Sequence, residues 1–353
     1  MTSDSTRRPD SGRANRVAAF IVLCLFTLLA TVVLQRWIGA LTVYAPDVEA
    51  KRLELHSAIL ANKPPAGRTW ESLGARNTNT RVATVWLAEE MHRIVGVPVL
   101  KAYFVIDTAS LWISLLLLFW LLRQWFEPIY CVVGVLYFIA ILPLTYLFYF
   151  FHPWDRLSQC LWILIFLCIK REWLGGLAMT LAASMVVKYD TVPVPAIYWL
   201  ANVTRATLVP VTLRALGLSV LAIGILMGLV ALFPAGASAP PSVGDAWARI
   251  AYNIESLAKM KLIYPPLLMH GLPTVLALVG WSRADRVARS GVVVGLACLV
   301  PLWFAGSNFH EVRAQAPLTV LLLPAALFGL QRILGRSLPP EEAFSSPAMP
   351  RGT

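Results

Sequence analysis

Apolar runs alternate with short polar breaks along this 353-residue chain, and the run lengths predict the elements. Stretches at about Val17–Trp37, Tyr103–Leu122, Ile129–Phe151, Val209–Phe233, Leu262–Trp281 and Ala316–Leu334 can each cross roughly 30 Å of hydrocarbon as helix. Gly291–Ala305 predicts a further, shorter crossing. Between Phe148 and Thr204 the pattern tightens. Three polar knots, His152-Pro153-Trp154-Asp155-Arg156, Lys170-Arg171-Glu172 and Lys188-Tyr189-Asp190-Thr191, interrupt an otherwise apolar region. The runs between them span about 13 to 15 residues, or roughly 20 Å of helix. Some knot residues must therefore lie at membrane depth, where an ionisable side chain is costly and marks function.

The remaining segments predict surface elements. Residues 38–100 form the one large polar loop. Pro46 opens a helix whose first turn holds Asp47 and Glu49, and which runs to about Leu60, before Lys63-Pro64-Pro65. A second amphipathic helix, about Thr80–Val95, stops at Gly96 with Pro98 beyond it. Both read as interfacial helices. Asp245–Lys261 reads as another surface helix.

Orientation follows from the basic residues. Arg7, Arg8, Arg13 and Arg16 precede the first run, and Arg123, Lys170-Arg171, Arg205 and Arg283/Arg286/Arg289 mark short connections, a positive-inside distribution. The expected fold is thus all-α: a polytopic transmembrane protein with about ten spans and interfacial helices in the first extracytoplasmic loop. A cytoplasmic tail covers 1–16, the transmembrane region 17–336 with its outer loop at 38–100, and a second cytoplasmic tail 337–353. Residues 173–203 read as two short crossings, with one kinked span as the alternative. The His152, Lys188 and His310 knots then share the outer face with the first loop. A bacterial inner (plasma) membrane is the expected location.

Composition narrows the function classes. The chain is 58% hydrophobic and 14% charged, which excludes an ordinary soluble domain. The net charge of +11 belongs to tails and inter-span loops, so it argues for membrane orientation rather than nucleic acid. All five cysteines sit inside apolar runs without metal spacing. No phosphate-binding glycine loop and no Ser/His/Asp motif is present, which argues against ATP-driven transport.

Four polar groups are candidates for chemistry. Asp47 and Glu49 supply a general base for an acceptor hydroxyl, with a divalent cation (Mg or Mn) as an option; the bland reading is an acidic helix N-terminus. His152 and Asp155 follow an aromatic belt and read either as substrate ligands or as an interfacial cap. Lys188 and Asp190 read as an anion site or as a mutual pair that closes a hairpin. In His310-Glu311-Val312-Arg313, Arg313 can grip phosphate while oriented by Glu311; the alternative is a simple Glu–Arg pair. His56, His92 and His270 are scattered and read as structural or solvated.

This layout resembles the GT-C superfamily of polytopic membrane glycosyltransferases. The resemblance rests on the acidic motif Asp47-Val48-Glu49 soon after the first span, the Lys knot Val186–Asp190 among short crossings, and the late Glu311-Val312-Arg313. It implies sugar transfer from a polyprenyl-phosphate donor to a glycan, lipid or protein acceptor on the outer face. It also implies Asp47 as the catalytic carboxylate, and Lys188 and Arg313 as donor-phosphate contacts. Two departures stand out: Val48 separates the acids, and the tail after the last span is only about 20 residues. The competing classes are a transporter or flippase for a lipid-linked or anionic solute, and a non-enzymatic export partner.

Overall fold

The computed structural model describes residues 11–39, 46–64, 66–67, 81–146, 154–233, 243–307, 309 and 311–335. Among these the chain is entirely helical, without strands. The α-helices are α1 (Ser11–Val33), α2 (Pro46–Leu60), α3 (Val82–Val95), α4 (Val99–Leu122), α5 (Pro128–Ile141), α6 (Asp155–Lys170), α7 (Leu174–Val187) and α8 (Val194–Asn202). They continue with α9 (Leu208–Leu232), α10 (Val243–Leu257), α11 (Met260–Pro266), α12 (Leu272–Gly280), α13 (Arg286–Val294), α14 (Val300–Gly306) and α15 (Ala316–Ile333). π-helical turns at Leu267–Gly271 and Gly295–Leu299 join α11 to α12 and α13 to α14, so each pair forms one continuous rod.

Among the described residues, seven helical segments are long and apolar enough to cross a membrane: Val17–Arg36, Val99–Leu122, Pro128–Tyr146, Leu208–Leu232, Leu262–Gly280, Arg286–Gly306 and Val312–Ile333. Six of these correspond to the six long runs of the sequence pattern, and the seventh extends the shorter Gly291–Ala305 run back to Arg286. The exposed side chains agree with a lipid environment. On α9, Leu213, Leu216, Val220, Ile223 and Met227 recur at three- and four-residue spacing, and each is more than half exposed. An apolar face of this kind suits acyl chains and would be costly in water. α15 is the opposite case, buried on almost every side. It packs on α12 at a crossing where Gly280 faces the Ala325 carbonyl and Gly329 faces the Leu276 carbonyl. Small residues allow two backbones to approach this closely without a side chain between them.

Three further helices, α6, α7 and α8, are shorter, and hydrogen bonds fix where their ends lie. α6 ends at Lys170, whose Nζ is 2.6 Å from Asp285 Oδ2. Asp285 caps α13 through the Ala288 N–H at 2.8 Å and accepts from Trp125 Nε1, also at 2.8 Å. α8 ends at Val203, whose carbonyl accepts from Arg286 Nη1 at 2.9 Å. The connections after α4, α6, α8 and α12 thus meet at one end of the bundle, around Asp285. The starts of α6 and α15 and the turn after α7 meet elsewhere, around Lys188. Residues 174–202 are therefore two helices that run from the Asp285 end to Lys188 and back, broken by the extended backbone of Lys188 and by Pro193 and Pro195.

The elements of the first loop match their sequence signals closely. α2 starts at Pro46, and α3 ends at Gly96, whose φ of 72° is the left-handed cap that glycine adopts without penalty. Each buries one face and exposes the other, with Leu53 and Leu60 of α2 and Trp86, Leu87 and Ile94 of α3 among the exposed side chains. Arg52, His56, Ala58 and Ile59 of α2 and Val82, Val85 and Ala88 of α3 are buried against the bundle.

Candidate functional site

The Lys188 end gathers ionisable side chains from three distant stretches of sequence. Asp155 is the first residue of α6, where the helix dipole favours a carboxylate. Lys188 follows α7 with φ −165° and ψ 118°, which turns its side chain away from the helix axis. Asp190 sits in the 3₁₀ turn Tyr189–Thr191, and Glu311 immediately precedes the turn Val312–Gln315 that carries Arg313. Lys188 Nζ lies 3.2 Å from Asp155 Oδ1 and 3.1 Å from Asp190 Oδ2. The second of these contacts is an ion pair without an aligned hydrogen bond. Arg313 Nη1 donates to Asp155 Oδ2 at 2.9 Å, and Nη2 to Glu311 Oε2 at 2.8 Å.

All five side chains are 17% exposed or less, so solvent screens these pairs weakly. Burial disfavours the Lys188 ammonium, yet Asp190 and then Asp155 outweigh it and hold its pKa above the ordinary lysine value. The carboxylates are held in turn. Asp190 Oδ1 accepts from Ser158 Oγ at 3.3 Å and Trp162 Nε1 at 3.2 Å, one turn apart on α6. Arg81, just before α3, lies over the Trp154 and Tyr189 rings at 5.1 and 5.5 Å. Its charge acts on both Lys188 and Arg313.

A second polar group continues from this cluster towards the first loop. Asp107, buried within α4, accepts a short hydrogen bond from Gln35 Nε2. The charges of Arg156, Arg52 and Asp155 all act on it. Arg156 donates to Thr145 Oγ1 at 2.6 Å and lies 4.9 Å over the Tyr146 ring. One turn above Asp107, the Tyr103 hydroxyl is 2.8 Å from His56 Nδ1, and His56 Nε2 is 3.0 Å from Glu89 Oε2. Helix α2 thus sends Arg52 and His56, four residues apart on one face, into the bundle.

No protein-family model, curated protein or solved structure matches this chain.

Of the nine residues singled out from the sequence, Asp155, Lys188, Asp190, Glu311 and Arg313 form the single cluster described above. Glu49 is half-buried on α2, and no described ion pair or hydrogen bond joins it to that cluster. Asp47 lies in the first turn of α2, but its side chain is outside the described residues, as are His152 and His310 entirely. Among the described residues no group of three or more His, Cys, Asp or Glu side chains is arranged to hold a metal ion.

The sequence reasoning missed Gln35, Arg52, Tyr103, Asp107 and Arg156. It also left His56 among scattered histidines, although this one is buried and bonded through both ring nitrogens. One signal was available: Asp107 is an acid inside an apolar run, the same criterion that selected Lys188.

Chemically, the arrangement offers two buried cations, each paired with carboxylates, at one end of a lipid-facing bundle. Lys188 supplies a compact charge, and the planar guanidinium of Arg313 is suited to paired oxygens. Such a site can hold a phosphate whose hydrocarbon tail remains in the membrane.

Proposed function

We propose that this protein is a membrane glycosyltransferase of GT-C type that moves a sugar from a polyprenyl-phosphate donor to a glycan, lipid or protein acceptor. The observation that carries the reading is the convergence of Asp155, Lys188 and Arg313 within direct contact, although 158 positions separate the first from the last. In the reaction, an acceptor oxygen attacks the anomeric carbon while its proton passes to a carboxylate of the first loop, Asp47 in this assignment. The bond from that carbon to the phosphate oxygen breaks, and polyprenyl phosphate leaves. Lys188 and Arg313 stabilise the charge that develops on the departing phosphate.

Topology is part of the same proposal. The seven long spans with α6, α7 and α8 as short crossings give ten passes, with both termini and the Asp285 end in the cytoplasm. Arg123, Lys170, Arg171, Arg283, Arg286 and Arg289 all surround the Asp285 end, which supports that orientation. The Lys188 cluster then opens to the outer leaflet of a bacterial inner membrane, where a lipid-linked donor presents its phosphate at the boundary.

The test is transfer from radiolabelled polyprenyl-phosphate sugars by the purified protein in lipid. Asp47→Ala and Arg313→Gln should each abolish product while leaving membrane insertion intact. Full transfer by either variant overturns its assignment, and absence of transfer by the wild type with every donor overturns the reaction class.

One observation favours a second reading, a carrier for a lipid-linked or anionic solute. Tyr103, Asp107, Ser110 and Ser114 make a buried polar seam along α4, which reaches well into the bundle. Movement of an unmodified solute across vesicles, without a glycosylated product, would select that reading.

A further inference from the structure

We propose that Asp155 is a displaceable stand-in for the substrate's phosphate: its carboxylate occupies the place between Lys188 and Arg313 that an anionic headgroup takes on binding. The identity of the anion as a lipid phosphate rests on the glycosyltransferase reading; the displacement itself rests on the contacts alone.

Lys188 has Asp190 as one partner at 3.1 Å, and Arg313 has Glu311 as another at 2.8 Å. Asp155 bridges the two cations, giving one oxygen to each at 3.2 and 2.9 Å. Two oxygens on one central atom, each facing a different cation, are also what one edge of a phosphate presents. Moving Asp155 out therefore breaks one contact per cation and leaves each with a carboxylate of its own. Displacing Asp190 or Glu311 would not open a position shared by both.

The displaced side chain also has somewhere to go. The charge of Arg156, the next residue on α6, acts on Asp155 as well as on Asp107, and Arg156 donates hydrogen bonds to the neutral groups of Thr145 and Gln159. A carboxylate that turns away from Lys188 and Arg313 remains near a buried cation rather than becoming an orphan charge. The exchange replaces one bridging anion by another, so most of the electrostatic cost of bringing phosphate into a buried site is offset. A solute without negative charge gains nothing from it. The device thus selects for an anion and keeps the two cations occupied when substrate is absent.

The experiment measures binding of farnesyl phosphate, farnesol and inorganic phosphate to the purified full-length protein in nanodiscs. Asp155→Asn removes the competing charge at nearly constant shape and should tighten farnesyl phosphate binding at least tenfold over wild type. Lys188→Met and Arg313→Gln should each weaken it by a similar factor or more, and farnesol should respond to none of the three. Equal tightening for inorganic phosphate identifies a free phosphate, rather than a lipid headgroup, as the anion recognised. Unchanged or weaker farnesyl phosphate binding by folded Asp155→Asn overturns the proposal and leaves Asp155 as a structural clasp.

Should that variant not fold, difference infrared spectroscopy of the wild type with labelled aspartate reads the same event. Saturating farnesyl phosphate must shift a carboxylate band, and no shift overturns the proposal, as does failure of the wild type to bind the probe at all. Tightening by Asp155→Asn without sugar transfer in any assay keeps the displacement and discards the reaction. Transfer without tightening discards the displacement alone.

Discussion

Replacing Lys188 by Met tests whether the ionic cluster is a real energetic unit. Methionine keeps most of the length and apolar volume, so the cavity contribution is small and the change is mainly electrostatic. Lys188, Asp155 and Asp190 are only 9%, 13% and 10% exposed, so the pairs belong to the buried class, where removing one partner costs about 3–5 kcal/mol. The structure argues for the lower end of that range. Asp155 would still hold Arg313 at 2.9 Å, and Asp190 would still accept from Ser158 and Trp162. Neither acid becomes an orphan, and a loss of about 3 kcal/mol is expected.

Denaturant unfolding in micelles, followed by tryptophan fluorescence, provides the assay, because Trp154 and Trp162 are buried beside the cluster. Adding Asp190→Asn to Lys188→Met should recover about 1–2 kcal/mol, since the residual negative charge is removed while the amide oxygen can still accept from Trp162. The pH dependence has a definite sign. The pKa of Lys188 is raised on folding, so its contribution is complete below the ordinary lysine value and is lost only as pH rises through the higher folded value. The gap between wild type and Lys188→Met should stay constant from roughly pH 6 to 9 and close at more alkaline pH. A destabilisation under about 1 kcal/mol, or strict additivity of the two substitutions, would refute the assignment of Lys188 to a buried, coupled pair.

Two further outcomes follow from packing. Gly329→Val places a side chain against the backbone carbonyl of Leu276, which cannot rotate aside, so α12 and α15 must separate; a loss of about 3 kcal/mol or more should appear as a lowered unfolding midpoint. Asn253 of α10 donates to the Phe304 and Ser307 carbonyls at 2.7 and 2.9 Å and accepts from the Phe309 N–H at 3.0 Å, tying α10 to the segment before Glu311. Asn253→Ala should cost about 2–4 kcal/mol and speed proteolysis around residues 304–311, whereas an unchanged cleavage pattern would show that the segment is held by other contacts.

The cluster was legible because its selection rule is local. Lys188 follows some 15 apolar residues and precedes two prolines, so its charge has to be met inside the bundle, and the structure meets it with Asp155 and Asp190. Asp155 and Arg313 lie at run ends under the same constraint. The caps were equally legible: Pro46 and Gly96 mark helix ends through their own backbone preferences, without reference to any partner.

The second polar group was hidden because its logic is pairwise. Asp107 looks anomalous in α4 only until Gln35, 72 positions earlier, is placed beside it, and His56 looks ordinary until Tyr103 and Glu89 bracket it. A sequence displays the cost of a buried charge at one position, whereas the compensating contacts depend on how α2, α3, α4 and the turn after α1 pack together. The same asymmetry explains why Asp47 and Glu49, rather than Arg52 and His56, stand out in the sequence of the first loop. Acids at a helix start are conspicuous in the sequence, while the inward face of α2 is defined only by what packs on it. A chain that carries Arg52, Asp107 and Arg156 inside an apolar bundle bears their desolvation cost at every folding event, and evenly apolar side chains would avoid it. Their presence extends the polar interior from the Lys188 cluster to the first loop, because the charges of Asp155 and Arg52 both act on Asp107 between them.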